Sequence, residues 1–154
     1  MYLRNKAICW AMGILLPICF MPVAGAAQAD TGKTAAPDTK DVSRKFVAYY
    51  FHGDFRCDNC KKIEQYSREA VEKYFADQLK TGELVFKVIN MDRPENKHFI
   101  NDYQLYTSSL VIAECKGATQ VRWKNLAEVW NNLDDQEAFH DYVKTEIQKY
   151  MEST

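Results

Sequence analysis

Between residues 45 and 150 the spacing of apolar side chains switches back and forth between unbroken runs and a helical period, and this alternation limits the folds open to the chain. Residues 45–51 (KFVAYYF) form an aromatic and apolar run closed by His52-Gly53-Asp54, the pattern of a buried strand entering a loop. From Cys60 onward Ile63, Tyr66, Ala70, Val71, Tyr74, Phe75 and Leu79 recur every three or four residues, which predicts one helix of about 20 residues, stopped by Thr81-Gly82. Residues 84–89 (LVFKVI) read as a second strand and residues 96–105 as containing a short helix with Phe99, Ile100 and Tyr103. Residues 110–115 (LVIAEC) and 119–124 (TQVRWK) flank Lys116-Gly117 as a hairpin. A last helix is expected from Asp134, with Glu137 completing a capping box and Phe139, Tyr142, Val143, Ile147 and Tyr150 on one face. Trp130 and Leu133, just before it, are expected in the core. The order β-α-β-α-β-β-α predicts an α/β fold with a central mixed sheet of about four strands flanked by helices. With 154 residues, 47% of them hydrophobic, the chain can fill one core. Its formal net charge of −1 offers no electrostatic footprint for nucleic acid.

The N-terminus carries the features of an export signal. Arg4 and Lys6 open the chain, no charge follows until Asp30, and Ala24-Gly25-Ala26 and Ala27-Gln28-Ala29 supply small-residue exits. Residues 1–29 are therefore expected to be a signal peptide, cleaved near Ala27 or Asp30, with an uncleaved membrane anchor as the rival reading. Residues 30–41 (DTGKTAAPDTKD) read as a flexible linker, and residues 42–154 as the folded domain. Cleavage would leave Cys57, Cys60 and Cys115 in a periplasmic or other extracytoplasmic compartment where disulfides persist.

Cys57-Asp58-Asn59-Cys60 is the one motif with evident chemistry. Two cysteines at this spacing, after a strand and at the entrance of a helix, can close a small disulfide ring. The helix N-terminus favours a thiolate on Cys57; Arg56 adds to that effect and Asp58 opposes it. Cys57 is expected to attack a partner's disulfide and Cys60, one turn inward, to resolve the mixed disulfide. Two other readings stand beside this one. The pair could be a disulfide that only staples the helix start, or it could hold a soft metal ion, Cu(I) or Zn(II), on the same two thiolates. A second Cys-x-x-Cys that would complete a zinc site is missing, and Lys61 in place of histidine removes c-type haem attachment.

In element order and in the position of this pair, residues 42–151 resemble the thioredoxin-like superfamily. More narrowly, YYFHGDFRCDNCKKIE (residues 49–64), WKNL (123–126) and FHDYV (139–143) resemble small exported accessory subunits of a nitrophenyl compound nitroreductase. The resemblance implies dithiol or electron transfer through Cys57 and Cys60, with a protein dithiol/disulfide partner in a larger, often membrane-bound, redox system. It implies no cofactor. The sequence departs from thioredoxins in three ways. Arg56 replaces the usual tryptophan before the first cysteine. The first strand carries no carboxylate, so proton transfer is left to His52, Asp54 or water. Ser109, or Ser108 with a one-residue shift, stands where a cis-proline is expected, and a trans peptide is the cheaper form before serine.

Arg56, His52 and Ser109 are thus the supporting candidates around Cys57 and Cys60. Tyr49 and Tyr50 alternate faces, so at most one of them can approach the disulfide. His98 and His140 read as solvated, and Cys115 is expected to take no part in the exchange because it lies at the far end of its strand.

Overall fold

The computed structural model describes residues 44–153; the expected export signal (1–29) and the expected linker (30–41) lie outside the described residues. The elements are β1 (Arg44–His52), α1 (Asp58–Tyr74), α2 (Ala76–Thr81), β2 (Leu84–Asn90), α3 (His98–Asp102), β3 (Ser109–Lys116), β4 (Thr119–Asn125) and α4 (Gln136–Glu152), with 3-10 turns at Pro94–Asn96 and Ala127–Trp130. The four strands form one sheet in the order β2-β1-β3-β4, with β1 parallel to β2 and the other neighbours antiparallel. The architecture is thus the expected α/β one, a four-stranded mixed sheet flanked by helices.

β1 and β3 are the inner strands, which is why both read as nearly continuous apolar runs: each is covered on both faces. Phe46, Ala48 and Tyr50 of β1 join Leu110 and Ile112 of β3 under Ile63, Ala70 and Val71 of α1 and Phe139, Val143 and Ile147 of α4. The alternate residues Val47, Tyr49, Phe51, Val111 and Ala113 face the other layer, where Met91, Tyr103 and Leu105 cover them. The edge strands β2 and β4 are mostly half-buried and mix charge with apolar residues. The β3–β4 hairpin turns at Gly117, whose φ of 62° lies in the left-handed region that glycine enters without penalty.

Three expectations are corrected. The long helix stops at Tyr74, because Phe75 leaves the helical region (φ −128°, ψ 30°) with its ring buried, and the chain restarts as α2, which has no fully buried residue and packs Leu79 against the core. Gly82, at φ 74°, ends α2 where the sequence placed the stop. The cap of α4 is Asp135 rather than Asp134: its carboxylate accepts from the Ala138 N–H at 3.0 Å. Glu137 then falls within the first turn, where it meets the helix dipole instead of closing a reciprocal box. His140 is buried rather than solvated, because it lies on the flank of α4 that packs on α1. Its Nε2 is 3.3 Å from the Glu69 carboxylate, and its ring meets Tyr66 edge-on at 5.8 Å. His98 is exposed, as expected. Leu133 is core and Trp130 packs against it; Leu126 and Val129, which the sequence left unassigned, are fully buried beside them.

Candidate redox site

α1 starts where β1 hands over to a five-residue loop, and Cys57 is its N-cap. The Cys57 backbone is extended (φ −68°, ψ 164°), and its Sγ accepts the Cys60 backbone N–H at 3.1 Å. This sulfur therefore meets a helix-terminal donor that no intrahelical carbonyl can satisfy. Cys57 and Cys60 are joined by a disulfide with Cα atoms 5.0 Å apart. Cys57 is half-buried and Cys60 is buried. Asp58, the acid beside Cys57, is fully exposed and paired with Lys61 at 3.5 Å, so water screens it from the sulfurs.

Beneath the disulfide lies Tyr50, fully buried, whose hydroxyl donates to the Cys60 carbonyl at 2.5 Å. Burial pushes the Tyr50 phenol up, partly offset by hydrogen bonds with Ser108 and Arg56, so the group stays a neutral donor. Of the two alternating tyrosines, Tyr50 is the one that reaches the site; Tyr49 stacks on Phe51 in the opposite layer.

Arg56, immediately before Cys57, forms an ion pair with Glu64 of α1, and its guanidinium lies 6.0 Å from the Tyr50 ring centre. Arg68 also approaches Glu64, at 3.4 Å. Burial works against the Arg56 charge, but Glu64 and Tyr50 outweigh it and hold its pKa above the ordinary value. Sequence reasoning missed Glu64, although its spacing was readable: four residues after Cys60 is one turn along the same helical face.

The other candidates stand as follows. The His52 ring stacks on Tyr50 at 6.0 Å, and its Nδ1 donates to the Gly53 carbonyl at 2.8 Å. The Asp54 carboxylate accepts from Asn90 at 2.7 Å, while its backbone N–H donates to Asp92 at 2.6 Å, which ties the loop to the end of β2. A Cβ at Gly53 would come within 2.8 Å of Asp92, so glycine allows this close approach. Ser109 opens β3 opposite Phe51, and its Oγ donates to the Thr107 carbonyl at 2.9 Å. Ser108, rather than Ser109, reaches Tyr50, and the Trp130 indole donates to the Ser108 carbonyl at 3.0 Å. There is no cis peptide among the described residues. Cys115 is buried opposite Lys45, at the far end of β3 from Ser109. Phe55 and Tyr106, in the loops leaving the same sheet end as the disulfide, are 86% and 95% exposed. Among the described residues no cluster of three or more His, Cys, Asp or Glu is placed to hold a metal ion.

No protein-family model matches this sequence, and no curated protein matches it. Solved structures similar to it include the first two thioredoxin domains of Naumovozyma dairenensis Eps1p (TM-score 0.42, 16% identity, 73% of this chain and 39% of that one). A thioredoxin from Thermus thermophilus is similar over 58% of this chain and 72% of its own (TM-score 0.34, 18% identity). A structure described as a malarial protein covers 62% of this chain and 97% of its own (TM-score 0.35, 14% identity). The chain thus spans about two fifths of the Eps1p structure. None of these likenesses bears on chemistry, which rests on the chain's own residues.

Proposed function

We propose that this protein is an exported thiol–disulfide oxidoreductase in which Cys57 exchanges with a protein partner and Cys60 resolves the intermediate. The observation that carries the reading is the asymmetry of the pair: a half-exposed sulfur at a helix N-cap, linked to a buried one a turn inward. In the reducing direction the Cys57 thiolate attacks one sulfur of a partner disulfide, and the other partner sulfur leaves as a thiolate and takes up a proton. Cys60, losing its proton, then attacks the Cys57 sulfur and expels the partner's remaining thiolate. The second thiolate takes up the proton lost by Cys60, and the first takes one from water equal to that lost when Cys57 ionised, so two electrons and two protons are transferred in all and the Cys57–Cys60 disulfide is restored. The oxidising direction is the same sequence reversed. On the sequence resemblance, the partner belongs to a larger, membrane-associated redox system that this protein serves as an accessory subunit. The exposed Phe55 and Tyr106, in loops at the same end of the sheet as the disulfide, suit a protein partner better than a small thiol.

Limited alkylation of the fully reduced protein near pH 7 tests the roles. Cys57 is expected to be labelled at least about tenfold faster than Cys60, because thiolate fraction and access both favour it. Equal labelling would contradict the assignment. Stoichiometric Cu(I) or Zn(II) retained by the reduced protein, together with slow labelling of both thiols, would favour the metal-carrier reading instead.

A further inference from the structure

Oppositely charged side chains flank the Cys57–Cys60 stretch of the chain and meet each other. Arg56 is the residue directly before Cys57, and Glu64 lies one helical turn after Cys60; the two meet as an ion pair across the sulfurs' own stretch of chain. Their side chains are 29% and 20% exposed, so water screens the pair only in part. The Arg56 Nε–H is buried without a hydrogen-bond partner among the described residues, so the guanidinium keeps one donor in reserve. The other charged groups of this face are less able to set the local field. Asp58 and Lys61 neutralise each other in solvent, Arg68 lies farther out along α1, and the Lys62 ammonium bonds the Leu133 carbonyl at 3.3 Å. From β1 the titratable neighbours are Tyr50, a neutral donor, and His52, stacked on it.

We propose that Arg56 and Glu64 are a cancelling charge pair that sets the redox poise of the Cys57–Cys60 dithiol. Both are positioning residues: the Arg56 charge favours the Cys57 thiolate, the Glu64 charge disfavours it, and paired the two largely cancel. This rests on the oxidoreductase reading and adds to it which residues tune the reaction. Stabilising the thiolate stabilises the reduced form, so it makes the disulfide a stronger oxidant. Each single charge removal should therefore shift the poise in opposite directions, and removing both should restore it.

The test compares the purified protein with Glu64→Gln, Arg56→Gln, the double variant and Arg56→Lys. Two quantities are read: the titration midpoint of Cys57 in the reduced protein, from thiolate ultraviolet absorbance, and the equilibrium with glutathione at pH 7. Glu64→Gln should lower the midpoint by about half to one pH unit, a partly screened form of the usual opposite-charge effect. It should also move the glutathione equilibrium about two- to fivefold toward the dithiol. Arg56→Gln should raise the midpoint and move the equilibrium the other way. The double variant and Arg56→Lys should both return close to the unsubstituted protein. Single variants that shift in the same direction, or not at all, would overturn the proposal, as would a double variant that stays shifted as far as either single one. If Arg56→Gln does not fold, Glu64→Gln and Arg56→Lys still decide the sign. The midpoint is read with no partner present, so it tests the charge pair even if the protein proves unable to exchange disulfides.

Discussion

Cys57→Ser should abolish disulfide exchange, by at least about a hundredfold, whereas Cys60→Ser should trap mixed disulfides with the partner. A serine hydroxyl is not ionised near neutral pH, so the first substitution removes the nucleophile. The thiol left behind in that variant is Cys60, which is buried and offers a partner disulfide no approach. Cys60→Ser keeps the attacking sulfur at the N-cap, and the first step proceeds. Nothing then resolves the mixed disulfide, which accumulates as a covalent complex that denaturing, non-reducing electrophoresis detects and mass spectrometry identifies. Equal trapping by the two variants would contradict the division of roles.

The second large effect is expected far from the disulfide, at Glu114 of β3. This carboxylate is 3% exposed and held between Arg44 of β1 and Arg122 of β4. The same arginines reach the end of α4: Arg44 donates to the Ser153 carbonyl at 2.8 Å, and Arg122 to the Tyr150 carbonyl at 2.7 Å. Burial alone would raise the Glu114 pKa, but Arg44 and Arg122 outweigh it and hold the carboxyl below the usual carboxylate range. Glu114→Gln should therefore cost about 2–3 kcal/mol at pH 7, below the 3–5 typical of breaking a fully buried pair because both arginines are about a third exposed. The sign of the pH dependence follows from the lowered folded-state pKa. The contribution is complete above the unfolded carboxylate value of about 4.3 and is lost as pH falls through the lower folded-state value. Urea unfolding should show the gap between the two proteins narrowing in acid. A gap that stays constant down to pH 3 would show that the carboxylate's charge contributes nothing.

The order of elements was readable because each left a periodic trace. β1 and β3 are runs because both of their faces are covered, and α1 and α4 carry stripes because only one of theirs is. The break at Phe75 left no trace, since its ring continues the stripe and only the backbone turns. The cap of α4 was misplaced because Asp134 and Asp135 offer the same side chain one residue apart, and only the backbone geometry at Asp135 (φ −129°, ψ 103°) distinguishes them. His140 defeated composition reasoning because its charged neighbours lie along the chain, whereas Tyr66 and Glu69, which cover it, come from another helix.

At the site, the cysteine pair was legible from spacing alone, and Tyr50 was half-legible, because strand alternation allowed one of two tyrosines to reach the disulfide. Glu64 was not singled out, and Ser108 was named only as the one-residue alternative to Ser109. Glu64 looks like any exposed helical acid until Arg56 folds onto it, and Ser108 matters through its contact with Tyr50, a tertiary contact no local pattern encodes.

A redox titration of the purified protein against glutathione most directly tests whether Cys57–Cys60 is a working dithiol. A single two-electron transition is expected between about −120 and −270 mV, the range of catalytic pairs. A potential below about −300 mV, where structural disulfides lie, would reduce the pair to a staple at the start of α1 and contradict the account.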